Sequence, residues 1–147
     1  MSKNKLDLLD ITDKKSKEMI KEYEQREGIT LDLDVIKNNN SNEFNAYIYS
    51  RKDIGIKDLC LIQCQKDIKS ATIISMGKET SKDILPMTTD YLLNTLGMES
   101  VFIRVNKDDR KTMKYLEEKG FESLGNENND VVYLREKELS ITKQRTM

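Results

Sequence analysis

The spacing of apolar residues changes several times along the chain, and each change predicts an element. Leu6-Asp7-Leu8-Leu9-Asp10-Ile11 reads as a short strand of mixed exposure, after which Thr12 or Asp13 offers an oxygen to cap a helix near residues 13–27. Met19, Ile20 and Tyr23 form the inward stripe of that helix, and Gly28 ends it. Ile29-Thr30-Leu31-Asp32-Leu33-Asp34-Val35 alternates apolar and polar at period two, which predicts a half-buried strand, with a short helix as the alternative. Residues 38–43 contain no apolar side chain and predict a surface loop.

Three strands follow, Phe44–Arg51, Asp58–Gln65 and Ala71–Met76, separated by short polar connections, so an antiparallel meander is expected. The period then becomes helical through Ile84, Leu85, Thr88, Tyr91, Leu92, Thr95 and Leu96, with Gly97 as the left-handed residue behind it. Val101-Phe102-Ile103-Arg104-Val105 is apolar on both faces apart from Arg104, as in a central strand joined in parallel through the preceding helix. A second helix opens at Asp108 or Asp109, turns Thr112, Met113 and Leu116 inward and stops at Gly120, where Phe121 packs back on Leu116 in a Schellman ending. Strands Phe121–Leu124 and Asp130–Arg135 complete the pattern across the turn residues of 125–129, and the charged tail after Glu136 is expected to lack order.

Composition narrows the class and the chemistry. At 147 residues the chain is one domain, expected to span 1–136, and 37% hydrophobic against 35% charged residues is a polar but foldable balance. Twenty-five Lys and Arg against 26 Asp and Glu leave a net charge of −1, which gives nucleic acid no general attraction. The sequence has neither a membrane-length apolar run nor an apolar signal core, so a cytoplasmic location is expected. There is no histidine, which removes Ser-His-Asp and Cys-His nucleophiles, His-ligated zinc and imidazole acid–base chemistry. Cys60 and Cys64 would lie on one strand face about 13 Å apart by the rise per residue, too far to bridge, and read as buried free thiols.

The order strand–strand–strand–helix–strand–helix–strand–strand, with Val101-Phe102-Ile103-Arg104-Val105 and Met113-Lys114-Tyr115-Leu116-Glu117-Glu118-Lys119-Gly120-Phe121 at its centre, resembles the GNAT superfamily of acyl-CoA-dependent N-acetyltransferases. The clearest part runs from Ala71 to Arg135, while Leu6 to Lys66 agrees in element order. The resemblance implies an α/β fold built on a mixed central sheet of about seven strands flanked by helices, the fourth and fifth splayed apart. It also implies a pantetheine arm in that cleft and a pyrophosphate on backbone amides at the next helix start, where the dipole favours an anion. The activity implied is transfer of an acetyl group from acetyl-CoA, or another acyl-CoA, to an amine by direct attack, without a metal. Ile74, Ser75 and Met76 on the fourth strand, Gly77, Lys78, Thr80, Ser81 and Lys82 in the phosphate loop, and Asp109 are the cofactor-binding candidates.

Several positions depart from the family pattern. The second and third small residues of the phosphate loop are absent, so Lys78, Lys82 and the hydroxyls of Thr80 and Ser81 stand where bare backbone normally approaches the anion. Pro86 must either start the helix or remove one of its hydrogen bonds. The family's general-acid tyrosine falls on Leu116; Tyr115, one residue and about 100° away, is the catalytic candidate for protonating the thiolate. Asp109 replaces an asparagine and brings negative charge toward the phosphates. These departures open an alternative in which the domain has lost CoA binding and serves as a protein-interaction or scaffold module, a homodimer or a subunit of an assembly. Arg104 reads as a structural ion pair, Asp32 and Asp34 as a solvated strand face, and Gly77-Lys78 lacks the earlier glycine and following Ser or Thr of a nucleotide loop.

Overall fold

The structure is a computed structural model that describes residues 6–37, 39–52, 55–75 and 84–137. Its elements are β1 (Leu6–Leu8), α1 (Lys14–Glu27), α2 (Asp34–Lys37), β2 (Glu43–Lys52), β3 (Gly55–Gln65), β4 (Ser70–Ser75), α3 (Ile84–Asp90) with a π-helical turn at Tyr91–Thr95, β5 (Ser100–Asn106), α4 (Arg110–Glu118), β6 (Glu122–Glu127) and β7 (Asp130–Glu136). The strands form one sheet in the order β1-β2-β3-β4-β5-β7-β6. β4 and β5 run parallel and every other neighbouring pair is antiparallel. The parallel pair needs a long crossover, which the segment carrying α3 supplies, so both the expected meander and the strand–helix–strand unit are present.

The sheet separates two apolar cores. On one face Ile48, Cys60, Ile62, Ile73, Val101, Ile103 and Tyr133 pack with Ile84, Leu85 and Leu92 of the α3 segment and Leu116 of α4. On the other, Tyr47, Tyr49, Leu59 and Leu61 pack with Ile20 and Tyr23 of α1 and with Leu31. This alternation is the period-two pattern of β2 and β3 made solid, since successive strand side chains point to opposite faces.

Capping chemistry sets the helix ends. The Asp13 carboxylate accepts from the Ser16 N–H at the start of α1, and Gly28 takes the left-handed conformation at its end. At the end of α4 the Gly120 N–H bonds the Glu117 carbonyl and the Phe121 N–H bonds the Leu116 carbonyl, the two bonds of a Schellman motif. Gly120 has φ +91°, which side-chain-bearing residues rarely adopt, and Phe121 and Leu116 are both buried as expected.

Three expectations are corrected. Ile29–Val35 forms no strand; the short-helix alternative holds only at its end, where Asp34 and Val35 open the single turn of α2, while residues before them are extended, and Ile29, Leu31, Leu33 and Val35 pack on the α1-side core. Its backbone is satisfied by side chains instead of a ladder: the Leu31 N–H donates to Glu24 Oε2 at 2.8 Å, and Tyr47 Oη donates to the Asp32 carbonyl at 2.9 Å. Asp32 and Asp34 therefore share no strand face; Asp32 Oδ1 accepts from the Asp34 N–H. The last hairpin is tighter than predicted, with β6 running to Glu127 and only Asn128 and Asn129 at the turn, Asn128 in a left-handed conformation that asparagine tolerates. The first strand is also shorter, ending at Leu8. Of the expected tail after Glu136, Lys137 is described, its N–H bonding the Glu99 carbonyl at 2.9 Å, and residues 138–147 lie outside the described residues.

Candidate active site

The parallel pair is the feature that could hold a donor. Among the described residues β4 and β5 are paired from Ser70↔Ser100 to Ile74↔Arg104, with β4 described one residue further, to Ser75, and β5 running on to Asn106. Ser75 is paired with Cys60 of β3, while Val105 and Asn106 are paired with Val131 and Asp130 of β7. Among the described residues, the facing edges at this end have no strand partner.

The predicted site residues divide between this end and regions beyond it. Ile74 is half-buried and packs toward the α1-side core, opposite Arg104. Ser75 is the last described residue of β4. Met76, Gly77, Lys78, Thr80, Ser81 and Lys82 lie outside the described residues. The helix after them is described from Ile84 to Asp90 and carries Pro86 within it. Thr88 and Thr89 of α3 are fully buried, with Thr88 Oγ1 3.6 Å from Cys60 Sγ and Thr89 Oγ1 donating to the Leu85 carbonyl at 2.8 Å.

Asp109 is occupied. It is the N-cap of α4, with Oδ1 accepting from the Thr112 N–H at 3.2 Å and Oδ2 from Thr112 Oγ1 at 2.7 Å. Its carboxylate thus stabilises the helix start, where the positive dipole end favours it. Tyr115 stands on the flank of α4, where it lines a shallow hollow of about 200 Å³ with Lys111, Lys114 and Glu118, and the Lys119 ammonium lies 5.5 Å from its ring centre. Leu116, at the family's tyrosine position, is fully buried against the sheet.

Arg104 is engaged in the way expected of a structural ion pair. Its Nη1 donates to Glu127 Oε1 at 2.8 Å and its Nε to Asp130 Oδ2 at 3.2 Å, which ties β5 to the β6–β7 hairpin. The two thiols are free and buried, and burial pushes Cys60 up to about 12 and Cys64 up to about 11. Both stay protonated near neutrality, a state in which sulfur is a poor nucleophile.

The sequence reading missed a buried carboxylate. Asp58 on β3 is 7% exposed, and the antiparallel register puts it two residues beyond Cys60, the partner of Ser75. It therefore sits by the end of the sheet where the β4–β5 ladder stops. A lone Asp at the start of an apolar run carries no signal of this; only the register reveals it. Among the described residues no cluster of three or more His, Cys, Asp or Glu could hold a metal ion, and no helix is long and apolar enough to cross a membrane.

The strand order, the single parallel pair and the helices on both faces are those of the GNAT acetyltransferases, and the chain has that fold. Among similar solved structures is the N-acetyltransferase PseH of Campylobacter jejuni, with 14% identity, a TM-score of 0.60 and coverage of 90% of this chain and 97% of that one. A structure of PseH in complex with acetyl coenzyme A gives 13% identity, TM-score 0.59 and coverage of 90% and 99%. The PaiA N-acetyltransferase of Thermoplasma acidophilum in complex with coenzyme A gives 13%, 0.58, and 92% and 100%. At these identities the likeness is one of fold. No protein-family model and no curated protein matches the chain.

Proposed function

We propose that this protein is an acyltransferase that moves an acetyl group from acetyl-CoA to an amine. The observation that supports the reading is the GNAT fold, with its parallel β4–β5 pair, whose described ladder ends at Ile74↔Arg104 while β5 runs on to Asn106. A pantetheine arm is a chain with two amides, and laid along that edge it would meet strand-type donors and acceptors that have no described strand partner. The helix after β5 adds Arg110, Lys111 and Lys114, none of them ion-paired among the described residues, which suits a donor that carries phosphates.

In the transfer the amine nitrogen attacks the thioester carbonyl carbon, the carbon–sulfur bond breaks with its electron pair going to sulfur, and the nitrogen gives up a proton. Holding both reactants in one cleft supplies much of the rate. Asp58 is our candidate for receiving the nitrogen's proton, directly or through water, and Tyr115 remains the candidate for protonating the departing thiolate.

Calorimetric titration with acetyl-CoA, followed by a thiol-release assay over a panel of primary amines, tests the reading. A saturable heat and amine-dependent thiol release are expected. Asp58→Asn should remove the acidic limb of the pH profile of kcat/KM, and Tyr115→Phe should lower kcat with little change in acetyl-CoA affinity. No heat and no thermal shift at millimolar acetyl-CoA would overturn the proposal.

A further inference from the structure

At the opposite end of the sheet, beside the β3–β4 turn, the α3-side core is incomplete and leaves a cavity of about 400 Å³. Its walls are apolar, formed by Leu8, Phe44, Tyr91, Leu96 and Met98, with Cys64 also lining it. Leu8 and Leu96 are 47% and 37% exposed, so the cavity opens to solvent. The π-helical turn and the residues just after it form one wall. The Leu96 N–H bonds the Tyr91 carbonyl and the Met98 N–H bonds the Leu92 carbonyl, each spanning one residue more than an α-helix and its usual ending would. Tyr91, Leu96 and Met98, three of the wall residues, are the ones this widening sets in place.

The polar part of the lining has one sign. Lys66 and Lys69 of the β3–β4 turn line the cavity, and no acidic residue does so among the described residues. The Lys66 ammonium stands 5.7 Å from the Phe44 ring centre, at the boundary between charge and apolar wall. Lys69 is 3.9 Å from Glu99 in a pair that is largely exposed, so solvent screens it and leaves the ammonium available. The Lys69 carbonyl accepts from the Glu99 and Ser100 N–H groups at 2.7 and 3.3 Å, which fastens the turn to the start of β5.

We propose that this cavity binds a medium-chain carboxylate, with its hydrocarbon against Phe44, Tyr91, Leu96 and Met98 and its carboxylate between Lys66 and Lys69. Ligand pockets are mostly apolar with a few placed polar groups, and 400 Å³ lies within their range. At about 30 Å³ for each water-sized group, that volume takes a carboxylate and a chain of roughly eight to ten carbons, and is too small for a two-chain lipid. The site is separate from the β4–β5 end, so the inference does not rest on the acyltransferase reading.

Calorimetric titration of the full chain with sodium octanoate, and with 1-octanol as the uncharged counterpart, tests it. One octanoate per chain is expected, held about tenfold tighter than octanol. The pair Lys66→Glu and Lys69→Glu, both surface changes, should weaken octanoate about tenfold or more, and Leu96→Trp should abolish binding by filling the mouth. Lys17→Glu with Lys21→Glu, exposed on α1 across the sheet, should change nothing. Should Leu96→Trp lose the wild-type circular dichroism, the lysine reversal and the octanol comparison decide. Absence of saturable heat overturns the proposal, as does octanol binding as tightly as octanoate or wild-type affinity in the lysine-reversed protein.

Discussion

Raising the pH from 8 to 10 should destabilise this protein through its two buried thiols. Cys60 and Cys64 have an ordinary value of 9.0, and burial raises them to about 12 and about 11 in the folded chain. A thiol that ionises more readily when unfolded contributes its full stability below pH 9, and that contribution is lost as the pH rises toward the folded values. Each pH unit above 9 costs about 1.4 kcal/mol per thiol, so at pH 10 the two together cost about 3 kcal/mol, against a typical total of 5–15 kcal/mol. The tyrosines raised by burial, Tyr23, Tyr47, Tyr49 and Tyr133, start from 10.0, so each costs only about 0.4 kcal/mol at pH 10, a loss that a variant lacking the thiols shares. The assay is urea unfolding followed by circular dichroism at constant ionic strength with a reductant present. The thiols alone should lower the wild-type midpoint by about 1–3 M between pH 8 and 10 for a slope of 1–3 kcal/mol per M. A protein carrying Cys60→Ala and Cys64→Ala starts from a lower baseline but should lose far less over the same interval. A flat wild-type profile, or an equal loss in the double variant, refutes the reasoning.

The Schellman ending offers a second test: Gly120→Ala should cost about 1–2 kcal/mol from backbone strain alone, because no atom lies within 4 Å of the added carbon; an unchanged urea midpoint would contradict it. Leu116→Ala, deleting a fully buried side chain between α4 and the sheet, should cost about 2–5 kcal/mol by thermal and urea unfolding. Asp109→Ala should cost about 0.5–2 kcal/mol through the lost cap, and acetyl-CoA titration of the same protein should give an affinity no weaker than wild type, since the carboxylate serves the helix.

Local chemistry was the most legible part of the sequence. Gly120-Phe121, Asp13 and the apolar run Val101–Val105 each carry their own structural instruction, and each stands where it was expected. Ile29–Val35 misled because alternation reports one-sided burial of an extended chain, and Leu31 and Leu33 obtain that by packing on the α1-side core without a described ladder partner. The π turn was invisible for a related reason: Tyr91, Leu92, Thr95 and Leu96 satisfy a helical period whether the chain winds at 3.6 residues per turn or slightly wider. Asp58 and the cavity between Phe44 and Met98 depend on which strands lie side by side, and that is settled by register across distant segments.

The widened turn at Tyr91–Thr95 also behaves like an inserted letter in an otherwise regular word. Deleting one residue there would let the helix resume its ordinary winding, swing Leu96 by about 100° and shut the hollow without disturbing any strand. The hollow's shape thus hangs on the winding of one short segment that belongs to no strand.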